Sequence, residues 1–309
     1  MFTVRQMRYF DALATTLHFR KAAELAHVSQ PALSAQIAEM EEIVGVQLFE
    51  RTRKSVVLSE MGQRLLPRIR SILQEIRSLE EIAAQKRGVL QARIRLGIIP
   101  TIAPYLVPVL IPLLRERYPA LKTELKEAVT SKLIEDLRLG EVDAIVAALP
   151  IEDDKLTVEP VFHDRFLIAT SANDNDVLAS PMTQDNVAVE RLLLLEEGHC
   201  LREQALAVCS ATRQRQLVNY GATSMATLLQ MVSHGMGLTL IPEIAVRAEA
   251  SHMKMRIVPF SDGEPKREIG LIWRRQSERQ EDFRALARCI GESAEMLKLR
   301  KEELAALRK

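Results

Sequence analysis

Residues 18–45 read HFRKAAELAHVSQPALSAQIAEMEEIVG, and this stretch decides the fold of the N-terminal part. Two short helices fit it, over 19–26 and 30–42, joined by a tight turn at His27-Val28-Ser29. Ala22, Ala23 and Ala26 are small enough for two helices to cross closely, and Leu25, Val28, Leu33, Ile37 and Met40 supply the apolar filling between them. Ser29 is a favourable N-cap, and Pro31 falls in the first turn, where its missing N–H costs little. This is a helix-turn-helix, whose second helix enters the major groove with its N-terminal residues toward base edges. With Leu33, Ile37 and Met40 turned inward, Gln30, Pro31 and Ser34 face out. Gln pairs bidentately with adenine, and Ser bonds several bases or a phosphate. The plainer alternative for each is a solvated polar helix face.

Outward from this stretch, Phe10, Leu13, Ala14 and Leu17 repeat at helical spacing and predict a helix over 4–16. Downstream, RTRKSVVLS (51–59) predicts a β-wing with Arg51, Arg53 and Lys54 at its tip, placed to contact phosphate and give affinity without sequence information. Residues 60–85 form one long amphipathic helix with a possible kink at Pro67. Leu65, Ile69, Ile72, Ile76, Leu79 and Ala83 make a heptad seam, which packs either on its own body or, as preferred here, on a second copy. Gly88 and the run to Ala92 are the expected hinge.

From Ile94 the rhythm changes to strand, helix, strand: strands over 94–98, 121–125 and 144–148 with helices over 103–118 and 131–139, hence a parallel sheet covered on both faces. A second unit is expected from strands over 166–170, 191–195, 215–218, 238–241 and 254–258, with a helix over 223–234. A strand over 269–273 and a helix over 281–297 close the chain, and the charged tail beyond Lys298 is expected to fray. Chain crossings near His163 and Pro265 predict two lobes on a two-stranded hinge. In such sheets ligands sit beyond the carboxyl ends of strands. Thr101, Thr130 and Cys200 occupy three such places; for the two threonines the plainer reading is helix capping.

Cys200 lies in GHCLREQALAVC (198–209), which holds two of the three cysteines. If residues 201–210 are helical, the Cys200 and Cys209 α-carbons stand roughly 13 Å apart, at about 1.5 Å per residue. A disulfide needs about 5.5–6 Å, so those two thiols join only if the segment unwinds. The plainer reading is that both are small buried hydrophobes; it suits Cys209, and also Cys289 in the last helix, better than Cys200 after a polar Gly-His turn.

The chain has 309 residues and a formal net charge of +1, enough length for two or three domains. Residues 1–90 carry 13 Lys and Arg against 10 Asp and Glu, the rest 29 against 31, an asymmetry that permits a nucleic-acid role for the first part. Residues 1–13 include Arg5, Arg8 and Asp11 and no apolar run, so no signal peptide is expected. The longest apolar run, 102–114, is too short and proline-rich to span a bilayer. Cysteine usage fits reduced thiols or a redox pair in the cytoplasm, and the six histidines show no metal-ligand spacing.

AAELAHVSQPALSAQI, GVQLFERT and LSEMGQ together resemble the winged helix-turn-helix of LysR-type transcriptional regulators, and GHCLREQALAVC resembles the redox segment of the hydrogen-peroxide-sensing subfamily in both cysteines, their spacing and the preceding Gly-His. The resemblance implies an α/β protein: a winged helix-turn-helix (1–58), a dimerisation linker helix and hinge (59–90), and a two-lobed regulatory domain like the periplasmic binding proteins (91–309), with lobe I about 91–163 and 267–309 and lobe II about 164–266. It implies that Cys200 is oxidised by peroxide to a sulfenic acid and that Cys209 resolves it as a disulfide. Thr101, Thr130, His199 and Arg267 would surround the peroxide. The implied partners are double-stranded operator DNA, hydrogen peroxide, RNA polymerase, further copies in a homodimer or homotetramer, and a glutaredoxin- or thioredoxin-type reductant, with activation of oxidative-stress defence genes as the outcome. No metal, cofactor or membrane is implied, and no enzymatic activity. Two departures stand out: Ala38-Glu39 and Lys126 replace basic residues and a histidine common in relatives. The competing readings are a LysR-type regulator that binds a small organic anion and a thiol peroxidase; the latter leaves the DNA-binding helices without a purpose.

Overall fold

A computed structural model describes residues 1–51, 55–84, 88–174, 182–184, 187, 191–208, 222–250, 253–261, 263–299 and 303. The chain forms two compact units, Met1–Lys86 and Arg87–Lys309.

In the first unit, α1 (Val4–Thr16) starts at a capping box: the Gln6 amide donates to Thr3 Oγ1 and the Thr3 amide to Gln6 Oε1. Helix α2 (Phe19–Leu25) ends in a Schellman turn, with the Val28 amide on the Ala23 carbonyl and His27 left-handed at φ 53°. Helix α3 (Gln30–Val44) is capped by Ser29, carries Pro31 in its first turn and stops at Gly45, φ 79°. Most of the apolar residues read from the sequence do the packing: Phe10, Leu13, Ala22, Leu33, Ile37 and Met40 are fully buried, Ala23 nearly so, and Phe10 packs tilted on Phe49 at 5.2 Å between ring centroids, whereas Leu25, expected between the helices, is exposed. The wing is an antiparallel pair, β1 (Phe49–Arg51) and β2 (Val56–Leu58). Helix α4 (Glu60–Ala84) contains Pro67. Its stripe divides: Ile69, with Leu73, is buried in this unit's own core, while Ile72 and Leu79 are exposed by 45% and 65%. The expected seam is therefore not one continuous partner-facing line; its first turns close the unit's own core.

The second unit is built on a seven-stranded sheet. Strands β3 (Arg93–Ile98), β4 (Lys122–Glu127) and β5 (Ala144–Ala148) run parallel, joined by α5 (Ala103–Arg117) and α6 (Thr130–Arg138). Beyond this point the expected all-parallel pattern gives way. Strand β6 is a single run of 16 residues, Leu156–Ser171, where the sequence reading had only 166–170. Its first part pairs antiparallel with β9 (Lys266–Arg274), which also pairs antiparallel with β5. Its last part pairs with β7 (Thr239–Pro242) and β8 (Met255–Val258). One strand thus belongs to both lobes, and the register Asp164↔Arg267 marks the crossing.

The remaining helices are α7 (Cys200–Val208), α8 (Met225–Ser233), α9 (Glu243–Ala250) and α10 (Gln280–Leu297). Helix α9 was not expected. Residues 191–195, expected as a strand, contribute only isolated parallel bridges, Leu192↔Leu238 and Leu195↔Ala222; the expected strand over 215–218 lies outside the described residues. The tail is fastened at its start, contrary to expectation: the buried Leu299 donates its amide to Glu243, and Arg247 donates to the carbonyls of Met296 and Lys298 and to Glu303. Among the described residues, no helix is long and apolar enough to cross a membrane.

Candidate functional site

The residues expected to read DNA lie on α3 and the wing of the first unit. Gln30 and Pro31 are exposed at the start of α3 and Ser34 is half-buried one turn on, while Leu33 and Ile37 point into the core. Glu39 accepts from the Gln6 and Gln36 side chains at 3.0 and 2.8 Å, which explains how a carboxylate is accommodated where a basic residue was expected. Arg53 and Lys54 lie outside the described residues; of Arg51 only the backbone, at the end of β1, is described.

In the second unit, β3 and β4 end side by side, and Thr101 and Thr130 follow their carboxyl ends. Neither threonine caps its helix. Ile102 and Val129 hold the N-cap positions, without side-chain caps, so the plain capping reading falls away. Thr101 is 2% exposed; its Oγ1 accepts from Arg267 Nη1 at 2.9 Å and its carbonyl from Arg267 Nη2 at 3.2 Å. Among the described residues, the buried Thr130 Oγ1 has no hydrogen-bond partner. A buried hydroxyl left unpaired costs on the order of 1–3 kcal/mol, and such a group invites a small polar guest.

Arg267 is itself buried, at 3% exposure, and was expected as a lone cation. Instead it forms an ion pair with Asp164: Nε and Nη2 donate to Oδ2 at 3.0 and 2.9 Å. The other oxygen, Oδ1, accepts from the Ile244 amide in the first turn of α9 at 3.1 Å. Burial pushes the Asp164 carboxyl upward, while the Arg267 charge and the Ile244 amide pull against it. The guanidinium lies over the Phe166 ring, 5.8 Å from its centroid. Asp164 carried no sequence signal, because its partners stand 103 and 80 positions away.

Cys200 is a free, half-buried thiol and is itself the first residue of α7, one place earlier than read from the sequence. Gly198, at φ 92°, makes the turn that brings it there, and the half-buried His199 sits between them. One turn along α7, Gln204 has a buried Oε1 with no hydrogen-bond partner among the described residues, a polar group on the Cys200 face that the sequence reading passed over. Arg202 Nη1 reaches back to the Leu195 carbonyl at 3.0 Å and pins the helix start. The helix is unbroken to Val208, about 12 Å from Cys200 by helical rise; Cys209 lies outside the described residues. Cys289 is packing: it is 1% exposed in α10, and burial pushes its thiol up. Lys126 does not enter the site, because its Nζ bonds Asp136 at 2.7 Å.

The structure thus joins Thr101 and Arg267 directly. Among the described residues no hydrogen bond links that pair to Thr130, His199 or Cys200, which stand at the ends of other elements. Among the described residues, no cluster of three or more His, Cys, Asp or Glu could hold a metal ion.

Residues 4–63 match the family model of bacterial regulatory helix-turn-helix proteins of the lysR family, and residues 87–295 match the LysR substrate binding domain. The chain is 37% identical over 287 residues to the DNA-binding transcriptional dual regulator OxyR of Escherichia coli (strain K12), covering 93% of this chain and 94% of that protein. It is 38% identical over 291 residues to a probable hydrogen peroxide-inducible genes activator of Mycobacterium avium, covering 94% of each. Among solved structures, a full-length OxyR cysteine-to-aspartate variant from Pseudomonas aeruginosa matches with a TM-score of 0.77 at 32% identity, over 94% of this chain and 95% of that one. A Corynebacterium glutamicum OxyR cysteine-to-serine mutant, hydrogen peroxide-bound, matches with a TM-score of 0.66 at 31% identity, over 96% and 93%.

Proposed function

The chain belongs to the LysR family of bacterial regulatory helix-turn-helix proteins, among the hydrogen peroxide-inducible gene activators, and from that membership we propose how it works. It is a DNA-binding transcription regulator that senses hydrogen peroxide. The observation that carries the assignment of the sensor is Cys200, a free half-buried thiol at the opening of α7.

The Cys200 thiolate attacks one peroxide oxygen, the O–O bond breaks, and hydroxide leaves and is protonated to water, giving the sulfenic acid. Peroxide is neutral and small, so hydroxyl, imidazole and guanidinium groups must hold it and the departing oxygen. Thr130, with its unpaired hydroxyl, Thr101, His199 and Arg267 have that role. The Cys209 sulfur then attacks the sulfenic sulfur and releases a second water, so two thiols and one peroxide become a disulfide and two waters. Were the helix that runs from Cys200 to Val208 continued by one residue, the Cys200 and Cys209 α-carbons would stand roughly 13 Å apart, more than a disulfide allows, and closure of the disulfide then requires α7 to unwind. That rearrangement changes contacts between copies in a homodimer or homotetramer, and with them the reading of operator half-sites and the contact with RNA polymerase. Gln30, Pro31 and Ser34 read bases; Arg51, Arg53 and Lys54 contact phosphate. The protein acts in the cytoplasm as an activator of oxidative-stress defence genes, without a metal or cofactor and not as an enzyme, and a glutaredoxin- or thioredoxin-type protein resets it.

Thiol counting by alkylation before and after micromolar peroxide tests this. Two thiols are lost in the wild type, and Cys209→Ser stops at the sulfenic acid. Unchanged thiol counts, together with a thermal shift produced by a small organic anion, would overturn the sensor assignment.

A further inference from the structure

Tyr105 lies in the first turn of α5, four residues after Thr101, which precedes the Ile102 N-cap. It is 5% exposed, and its hydroxyl donates to Glu249 Oε1 at 2.9 Å. Glu249 is near the end of α9, whose first turn supplies the Ile244 amide to Asp164. Helix α9 is therefore fastened at both ends to groups around Arg267. The contacts form a closed ring: Thr101 to Arg267 to Asp164, along α9 from Ile244 to Glu249, across to Tyr105, and back along α5 to Thr101.

Asp164 has one oxygen on Arg267 and the other on α9, so a shift of α9 moves the carboxylate that aims the guanidinium. Arg267 in turn fixes the Thr101 hydroxyl. Burial, and the Glu249 charge next, raise the Tyr105 hydroxyl far above the range in which a phenol ionises in water.

We propose that Tyr105 is a positioning residue for peroxide reduction, acting with Glu249 to hold α9 so that Asp164, Arg267 and Thr101 stay in register. This rests on the peroxide reading of Thr101 and Arg267. Tyr105 touches no reacting atom; it sets the geometry of groups that do.

The test uses the full chain with Tyr105→Phe, Glu249→Ala and Glu249→Gln. The rate of Cys200 thiol loss is measured with hydrogen peroxide and, separately, with iodoacetamide, which reacts with the same sulfur but needs no donors to a leaving oxygen. Tyr105→Phe and Glu249→Ala lower the peroxide rate tenfold or more and change the iodoacetamide rate less than twofold. Glu249→Gln, which keeps an acceptor for the phenol, restores the peroxide rate to within about threefold of wild type. Tyr105→Phe reacting with peroxide at the wild-type rate overturns the proposal. So does an equal fall in both rates, which would mark a structural loss only. A wild-type Cys200 inert to peroxide would instead overturn the reading of the site on which the proposal stands, and is distinguished because no variant is needed to see it.

Discussion

Asp164 divides its two carboxylate oxygens between a guanidinium and a helix amide, with almost no exposure to water. Removing one member of a buried ion pair leaves the other charge unpaired, a loss of about 3–5 kcal/mol, whereas replacing both by apolar side chains is often neutral. Asp164→Ala is therefore expected to lower stability by about that amount. Asp164→Leu combined with Arg267→Met recovers most of the stability while peroxide reactivity stays lost. The chain's single tryptophan, Trp273, is 1% exposed on β9, so its fluorescence during urea unfolding reports on this unit alone. Equal losses for the single and double variants would show that the pair holds no special electrostatic role. Thr101 and Arg267, which the structure joins, were singled out in the sequence through the family resemblance. Asp164, Tyr105 and Glu249 were not, since nothing local distinguishes a carboxylate whose partner lies 103 positions away or a phenol whose acceptor lies 144 away.

Local signals governed how well each element was read. Helix α1 was legible from apolar spacing and α3 from apolar spacing plus its Ser29 cap, and their start residues, Val4 and Gln30, coincide with the expected ones. Helix α9 escaped because eight residues give barely two turns of periodicity, and nearly all of its first turn is buried, which erases the amphipathic contrast. The same blindness cut β6 down to 166–170: a strand that changes partners midway has no single alternation of exposed and buried residues. Two predictions belong at this scale. His27 sits left-handed at the end of α2, where a Cβ is disfavoured, so His27→Gly should stabilise the first unit by about 0.5–1 kcal/mol, seen as a higher thermal midpoint. Arg202 holds the start of α7 against the Leu195 carbonyl. Arg202→Ala should leave sulfenic acid formation within about threefold of wild type but speed closure of the Cys200–Cys209 disulfide, as followed by rapid-quench alkylation. Slower closure would mean that the arginine assists the rearrangement rather than resisting it.

At the scale of the molecule, the second unit is one body despite its two lobes, because β6 and β9 run between them. A fragment of residues 87–309 is expected to fold alone and keep its reaction with peroxide, while residues 164–266 alone should not give a cooperative transition by circular dichroism. An independently folding 164–266 would mean that the shared strands are connectors only. The order of strands carries a further consequence. Strand β9 fills the gap between β5 and β6, both synthesised more than ninety residues before it, and it brings Arg267 with it. During translation the half-made sheet must wait with two open edges until the residues of β9 have left the ribosome. Chaperone protection matters most in that interval, and a product released before β9 emerges keeps the N-terminal helices but leaves Asp164 without its guanidinium partner.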